Sequence, residues 1–297
     1  MRPAVHRLSR LLALIGLTAA LAGCGAEPRI APLLWRTGLW CGGAPADRAA
    51  ARLNAVSLDG PAFDAFGRPE RGWAIYAPLI QHEIATRCAP QSPGFAAALA
   101  TWRVRHGLSP SGRGPSGQLD TAAFAAIKAQ WQGRRPFVAL RAAGICPAPP
   151  PPDALEAARP QETLGGKVVR LRPRALAAYR RMVAAARSET GILDDDPSAF
   201  ALFSGFRDPA ADAARCAAQN NCQGLVRAAC SAHRTGLALD LDVGWAPGHM
   251  ADDSADANRL YQTRGRPYRW LVRNAARFGF VNYLFEPWHW EWTGETP

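Results

Sequence analysis

The sequence predicts an α+β protein in which a domain built on an antiparallel sheet follows a small, mainly helical domain. Leucine or valine alternates with alanine or aspartate over residues 237–243, which is the period of a strand with two different faces. Apolar residues recur at helical spacing over residues 94–108 and 174–188. The proline-rich run over residues 147–152 is a stiff, extended segment, and it separates the two predicted domains.

Residues 1–23 are predicted to be a lipoprotein signal peptide. A basic start precedes an apolar run over residues 11–22, which is too short to span a bilayer comfortably. The tetrapeptide Leu21-Ala-Gly-Cys24 that ends it resembles a lipobox, whose cysteine receives lipid after cleavage. An ordinary cleaved signal peptide is the alternative. Gly25 rather than Asp after the cysteine favours, by analogy with Gram-negative sorting, an outer-membrane anchor facing the periplasm of the cell envelope.

The charge of the chain restricts its partners. Removing residues 1–23 takes away three arginines and no acids, so the formal net charge falls from +11 to +8. A basic surface suits an anionic polymer or a membrane surface, although a solvated, arginine-rich surface is the alternative. We expect no nucleic-acid partner for an exported protein, and we expect a monomer.

Six cysteines remain after lipidation of Cys24, three on each side of the proline-rich run. An even number in an exported protein predicts three disulfides, and six cysteines allow 15 pairings. Full pairing therefore requires at least one bridge between the two halves. A metal site built on Cys216, Cys222 and Cys230 is the alternative, but their spacing is irregular.

The domain prediction assigns residues 24–40 to a tether, 41–146 to the helical domain, 147–163 to the linker and 164–297 to the sheet domain. In the helical domain, one helix is predicted over residues 94–108. A glycine-rich loop separates it from a second helix over residues 119–131, with Asp120 or Thr121 as its cap.

This pair of helices over residues 92–132 resembles the small helical peptidoglycan-binding domain. A helical hairpin without a binding function is the alternative. Residues 41–88 contain no motif from which we predict a structure or a function.

The sheet domain is predicted from alternating element types. Helices are expected at residues 174–188 and 268–278. Strands are expected at residues 199–204, 237–243, 281–285 and 288–292, the last two around a Glu-Pro turn.

Three residues of this domain are candidate metal ligands. His233 precedes a strand that carries Asp240, and Gly236 between them lets the backbone turn. His289 and Glu291 share one face of the last strand, with the neighbouring tryptophans on the other. Two strands can bring His233, Asp240 and His289 to one point, which leaves the fourth position of a catalytic zinc open.

Two more residues have the chemistry of a hydrolase. Glu286, three residues before His289, can accept a proton from water and return it to a leaving amine. Arg207, in Ser204-Gly-Phe-Arg207, is a cation that can stabilise an oxyanion or bind a carboxylate. Asp242 and Glu291 face the same cleft, and we expect each to support the ligands or contact solvent.

These motifs resemble those of the VanY-type D-alanyl-D-alanine carboxypeptidases over about residues 200–294. The resemblance lies in Ser204-Gly-Phe-Arg207, in the run from Ser231 to Asp240 and in Glu286-Pro-Trp-His-Trp290. It implies that His233, Asp240 and His289 bind zinc, that Glu286 is the catalytic base, that Arg207 stabilises the transition state and that Ser231 lies in the substrate site. Two features depart from the family: Asp212 stands where many relatives have Gln, and residues 216–230 form a cysteine-bearing insert.

The sequence thus predicts a zinc-dependent D,D-carboxypeptidase, lipid-anchored through Cys24, that removes the terminal D-Ala from peptidoglycan stem pentapeptides. A D,D- or L,D-type endopeptidase is the nearest alternative. A zinc-containing, wall-binding lipoprotein without activity is the alternative from another class. Glu286 argues against the last, because a structural zinc site fills its fourth position and needs no spare carboxylate.

Overall fold

The computed structural model describes residues 41–60, 62–110, 114–222, 224–225 and 228–297. The predicted signal peptide, Cys24 and the tether lie outside the described residues. The described chain combines helices with antiparallel sheet, which confirms the α+β prediction.

The helices are α1 Pro45–Leu58, α2 Ala77–Glu83, α3 Pro93–Arg105, α4 Thr121–Gln132, α5 Pro136–Ala142, α6 Pro173–Glu189, α7 Ile192–Asp195, α8 Pro209–Ala218, α9 Asp256–Arg264 and α10 Arg266–Asn274. The strands are β1 Ala62–Asp64, β2 Pro69–Arg71, β3 Glu156–Ala157, β4 Arg170–Leu171, β5 Leu202–Ser204, β6 Ala238–Leu241, β7 Phe280–Asn282 and β8 His289–Trp292.

The two helices predicted in the first half are present as α3 and α4. Asp120 caps α4, because its carboxylate accepts a hydrogen bond from the Ala123 N–H at 2.8 Å. Residues 41–88, which had no interpretable motif, form α1, the β1–β2 hairpin and α2. Helix α1 packs on α3, and the buried Asn54 on α1 hydrogen-bonds the backbone of Gly117 and Leu119 just before α4.

The second half is organised around a four-stranded antiparallel sheet in the order β5–β6–β8–β7. In the register of its central pair, Asp240 lies opposite His289 and Ala238 lies opposite Glu291. The leucines of β6 and the tryptophans of β8 are buried. Every residue of β6 and β8 is buried, so both faces of this central pair are covered.

Several details differ from the sequence prediction. Strand β6 covers only Ala238–Leu241 of the expected residues 237–243. Strand β5 starts only at Leu202, because Phe200 has a positive φ of 68° and its N–H donates to the Asp242 carbonyl at 2.8 Å. Strand β7 ends at Asn282, where a turn begins. The helix predicted over residues 268–278 is an α-helix to Asn274 and a 3₁₀ turn from Ala275 to Phe278.

The two halves share one continuous apolar core, which includes Trp102 of α3 and Trp290 of β8. Buried polar contacts cross the same boundary. The Trp131 Nε1–H donates to the Asn282 carbonyl at 3.0 Å, and Arg259 of α9 pairs with Glu70 of the β1–β2 hairpin at 3.1 Å. The segment after the proline-rich run is also folded, because β3 pairs with β4.

The six cysteines of the described chain form three disulfides, Cys41–Cys88, Cys146–Cys230 and Cys216–Cys222. Cys146–Cys230 joins the two halves, as the cysteine count required. All three members of the alternative cysteine metal site are thus disulfide-bonded. Three disulfides are typical of an extracytoplasmic compartment. No helix in the described ranges has both the length and the apolar character needed to cross a bilayer.

Candidate metal centre

The register of the sheet fixes the positions of two predicted ligands, Asp240 and His289. Asp240 and His289 are directly opposite each other on β6 and β8, so their side chains leave the same face at the closest cross-strand spacing. The distance from His289 Nδ1 to Asp240 Oδ1 is 3.0 Å. Both side chains are buried. Strand pairing alone therefore brings one imidazole and one carboxylate together.

The third ligand, His233, is held by a 3₁₀ turn from Ala232 to Thr235. Ser231 caps this turn, because its Oγ accepts a hydrogen bond from the His233 N–H at 3.3 Å. Gly236 ends it with a φ of 68°, a conformation that favours glycine. The His233 Nδ1–H donates to the Gly205 carbonyl at 2.7 Å, which leaves Nε2 as the available lone pair.

The three side chains fit a metal ion in both spacing and chemistry. Their ligand atoms lie within 4.8 Å of one another, and the distance from His233 Nε2 to Asp240 Oδ2 is 3.3 Å. Zinc bonds of about 2.0–2.1 Å in a tetrahedron place neighbouring ligand atoms about 3.3 Å apart. Among the described residues, this is the one group of at least three His, Cys, Asp or Glu side chains with metal-binding spacing.

Electrostatics keep the carboxylate of this group charged. Burial alone would raise the pKa of Asp240, but the two adjacent imidazoles hold it far below its usual range. Burial lowers the pKa of His233. Burial also acts to lower the pKa of His289, but hydrogen bonds to Asp240 and Glu291 outweigh it and raise this pKa to about 9. A metal ion must displace the proton from such a ligand, so its binding is coupled to pH.

Glu291 contacts the ring nitrogen of His289 that does not face Asp240. The distance from its Oε1 to His289 Nε2 is 3.3 Å, and the same oxygen accepts hydrogen bonds from Arg135. Burial would raise the pKa of Glu291, but the charges of Arg135 and His289 lower it to about 2. Glu291 is therefore an anion that accepts the Nε2–H of His289, which directs the other ring nitrogen towards Asp240.

The ligand group opens into a cavity of about 750 Å³, whose lining includes Glu286, Arg207 and Ser231. Glu286 is half-buried in the middle of the connection between β7 and β8. Its N–H donates to the Tyr283 carbonyl at 2.9 Å, and its carbonyl accepts from the His289 N–H at 3.0 Å. This connection places Glu286 and His289 at the same cavity.

Arg207 is held in place by Asp212 and Ser204. Its Nη1–H donates to Asp212 Oδ1 at 2.9 Å, and its Nη2–H donates to Ser204 Oγ at 3.2 Å. The Arg207 N–H donates to the His233 carbonyl at 3.2 Å, which joins this segment to the ligand turn. Asp212 is buried, so it fixes the guanidinium at the cavity wall.

All five residues predicted for the ligand set, the base and the cation thus line one cavity, and Ser231 lines it while capping the His233 turn. Asp242 lies elsewhere: it accepts hydrogen bonds from Ser198 and Gly244. The sequence did not point to Arg135 or Tyr283, which also line the cavity. Arg135 belongs to the other half of the chain, and no local pattern signals a contact across 156 residues.

No protein-family model matches the chain, and no curated protein is similar enough to be matched to it.

Proposed function

We propose that the chain is a zinc-dependent D,D-carboxypeptidase that removes the terminal D-Ala from peptidoglycan stem pentapeptides. One observation carries this proposal. His233, Asp240 and His289 converge at a cavity that Glu286 also lines. Three ligands and a separate carboxylate are the parts of a hydrolytic zinc site, whereas a structural site uses four ligands.

Zinc would be held by His233, Asp240 and His289, and when bound it would supply a Lewis acid that polarises the scissile carbonyl and acidifies water. Glu286 accepts a proton from the attacking water as the new C–O bond forms. It then transfers this proton to the amine nitrogen as the C–N bond breaks, so that a carboxylic acid and a free D-Ala are released.

Arg207 supplies the fixed positive charge of this reaction. It stabilises the oxyanion of the tetrahedral intermediate or binds the carboxylate at the end of the substrate. Lys167, Arg141 and Arg215 line the same cavity and suit the carboxylates of a stem peptide. This distribution of cations supports an anionic peptide as substrate.

The remaining parts of the proposal concern location. Anchoring of Cys24 in the outer membrane would hold the enzyme in the periplasm, and the α3–α4 pair would bind the wall. The three disulfides support an extracytoplasmic location.

The test uses the chain from Gly25 onward, which contains every residue that the structure describes. We would incubate it with pentapeptide-containing muropeptides and with crosslinked dimers, and follow the products by mass spectrometry. Loss of one D-Ala from pentapeptides, abolished by a chelator and by Glu286→Ala, is the expected result. Conversion of dimers to monomers would indicate the endopeptidase instead. Bound zinc without any product would favour a wall-binding protein.

A further inference from the structure

Arg135 contacts Glu291, and Glu291 in turn contacts the candidate metal ligand His289. Arg135 belongs to the half of the chain before the proline-rich run. It is the residue immediately before α5. Its Nε–H donates to Glu291 Oε1 at 3.0 Å, and an Nη2–H donates to the same oxygen. That oxygen lies 3.3 Å from His289 Nε2. The three side chains therefore form a chain of hydrogen bonds that ends at the metal centre.

This chain of contacts is shielded from water and held from several sides. Arg135 is 7% exposed and Glu291 is 3% exposed. The guanidinium lies 4.4 Å from the centre of the Tyr283 ring, and another of its N–H groups donates to Gln132 on α4. Arg135 also lines the cavity, so its removal would leave the buried Glu291 carboxylate to water or to another partner, neither of which fixes it as two N–H donors do.

We propose that Arg135 is a positioning residue for the metal centre. It holds Glu291 where this carboxylate accepts the Nε2–H of His289, so that Nδ1 is directed towards Asp240 and the metal. The first half of the chain thereby determines the geometry of a site whose ligands all lie in the second half. This inference rests on the proposed function, because it requires that His233, Asp240 and His289 bind a metal.

A purely structural ion pair between the halves is the competing explanation. It predicts that loss of Arg135 lowers the stability of the protein and leaves the metal centre unchanged. Positioning instead predicts weaker metal binding and an altered ligand field, because partners that orient a ligating His typically contribute about 10- to 100-fold in metal affinity.

The experiment compares metal binding by the chain from Gly25 onward and its Arg135→Ala variant. Zn²⁺ affinity is measured by competition with a chromophoric chelator, and the absorption spectrum of the Co²⁺-loaded protein reports the ligand geometry. Arg134→Ala is the matched control, because Arg134 is the preceding residue, is 41% exposed in its side chain and pairs with Glu83 away from the site. Arg135→Lys tests whether a cation of another shape restores the geometry.

We expect Arg135→Ala to bind Zn²⁺ about 10- to 100-fold more weakly and to show a changed Co²⁺ spectrum. The control Arg134→Ala should match the original chain. Arg135→Lys should recover part of the lost affinity. In a Glu291→Gln background, Arg135→Ala should add little, because both act through one contact. If Arg135→Ala does not fold, the comparison of Glu291→Gln and Arg135→Lys with the original chain replaces it. Unchanged affinity and spectrum in these variants would overturn the positioning role alone, whereas an original chain that binds no metal would overturn the proposed function as well.

Discussion

Arg207 is the residue whose surroundings best match a role in stabilising negative charge. Asp212 and Ser204 fix its guanidinium at the cavity wall, so the proposed reaction would need little reorganisation as charge develops on a substrate. Asp212 stands where the sequence resemblance led us to expect Gln, and its carboxylate accepts a hydrogen bond from the guanidinium as an amide oxygen would.

Arg207→Ala is expected to lower kcat/KM about 100-fold while Zn²⁺ affinity stays unchanged, because removal of one oxyanion donor typically costs this much. Steady-state kinetics on pentapeptide and chelator competition measure the two quantities. Arg141→Ala is the control, since Arg141 is exposed and lines the same cavity. Equal losses in the two variants would show that general positive charge, rather than a fixed cation, serves the reaction.

Among the elements, the turn that carries His233 depends on one glycine. Gly236 has a φ of 68°, and a Cβ added there would lie 2.8 Å from Leu155 Cδ2. Gly165 offers a comparison, because it has nearly the same φ of 67° but no atom within 4 Å of an added Cβ. The two positions separate backbone strain from steric contact.

Gly165→Ala should cost about 1 kcal/mol of unfolding free energy, from the left-handed backbone alone. Gly236→Ala should cost more, because the added methyl group also displaces the end of the Leu155 side chain. It should also weaken Zn²⁺ binding, because the backbone strain at Gly236 falls on the turn that holds His233. Urea unfolding and chelator competition measure these effects. Identical behaviour of the two variants would mean that the turn tolerates the added methyl group.

The start of the second half is joined to α6 by an ion pair whose strength depends on pH. Burial would raise the pKa of Glu162, but hydrogen bonds from Arg180 and from the Arg159 N–H lower it below its usual value of 4.5. A lowered folded-state pKa means that the stabilisation is complete above the unfolded pKa. It is lost as the pH falls through the folded pKa.

Glu162→Gln should therefore reduce the unfolding free energy by about 1 kcal/mol at pH 7, and the difference from the original chain should disappear in acid. Urea unfolding at neutral and at acidic pH gives both values. Glu156→Gln, which removes a single and more exposed contact with Arg180, should have a smaller effect at pH 7. A difference that persists in acid would show that packing, rather than charge, is responsible.

At the scale of the whole molecule, the two halves are packed as one body. Their apolar cores are continuous, and Tyr76 connects them because its hydroxyl donates to Glu70 at 2.6 Å and accepts from Arg259 at 2.7 Å. These three side chains are buried, so the interface leaves no room for solvent to replace a lost contact. The cavity wall formed by Arg135 and α5 depends on this packing.

We expect one cooperative unfolding transition, and we expect Tyr76→Phe to lower the unfolding free energy by about 1–3 kcal/mol, because two buried polar groups lose a partner. Tryptophan fluorescence and far-ultraviolet circular dichroism during urea unfolding should give the same midpoint. Tyr261→Phe is the control, since Tyr261 is 52% exposed. Two separate transitions would show that the halves unfold independently.

Local patterns in the sequence were enough to predict α3, α4, α6 and the strand faces around Asp240 and His289. Periodicity and capping act over a few residues, and the side chains that satisfy them lie near in sequence. For the same reason the motif around His233 and the Glu286–His289 spacing could indicate a common site. The sequence prediction started strand β5 at residue 199 instead of Leu202, because a positive φ at the buried Phe200 has no local signature in the sequence.

The amino-acid sequence by itself determined the fold class, the need for a disulfide between the halves and the candidate ligands, because each follows from composition, count or short-range spacing. Only the tertiary structure decided which cysteines pair, that the two halves share one core, and that Arg135 reaches His289 through Glu291. These features join residues far apart in the chain, and their energies depend on burial and exact distance, which no local pattern contains.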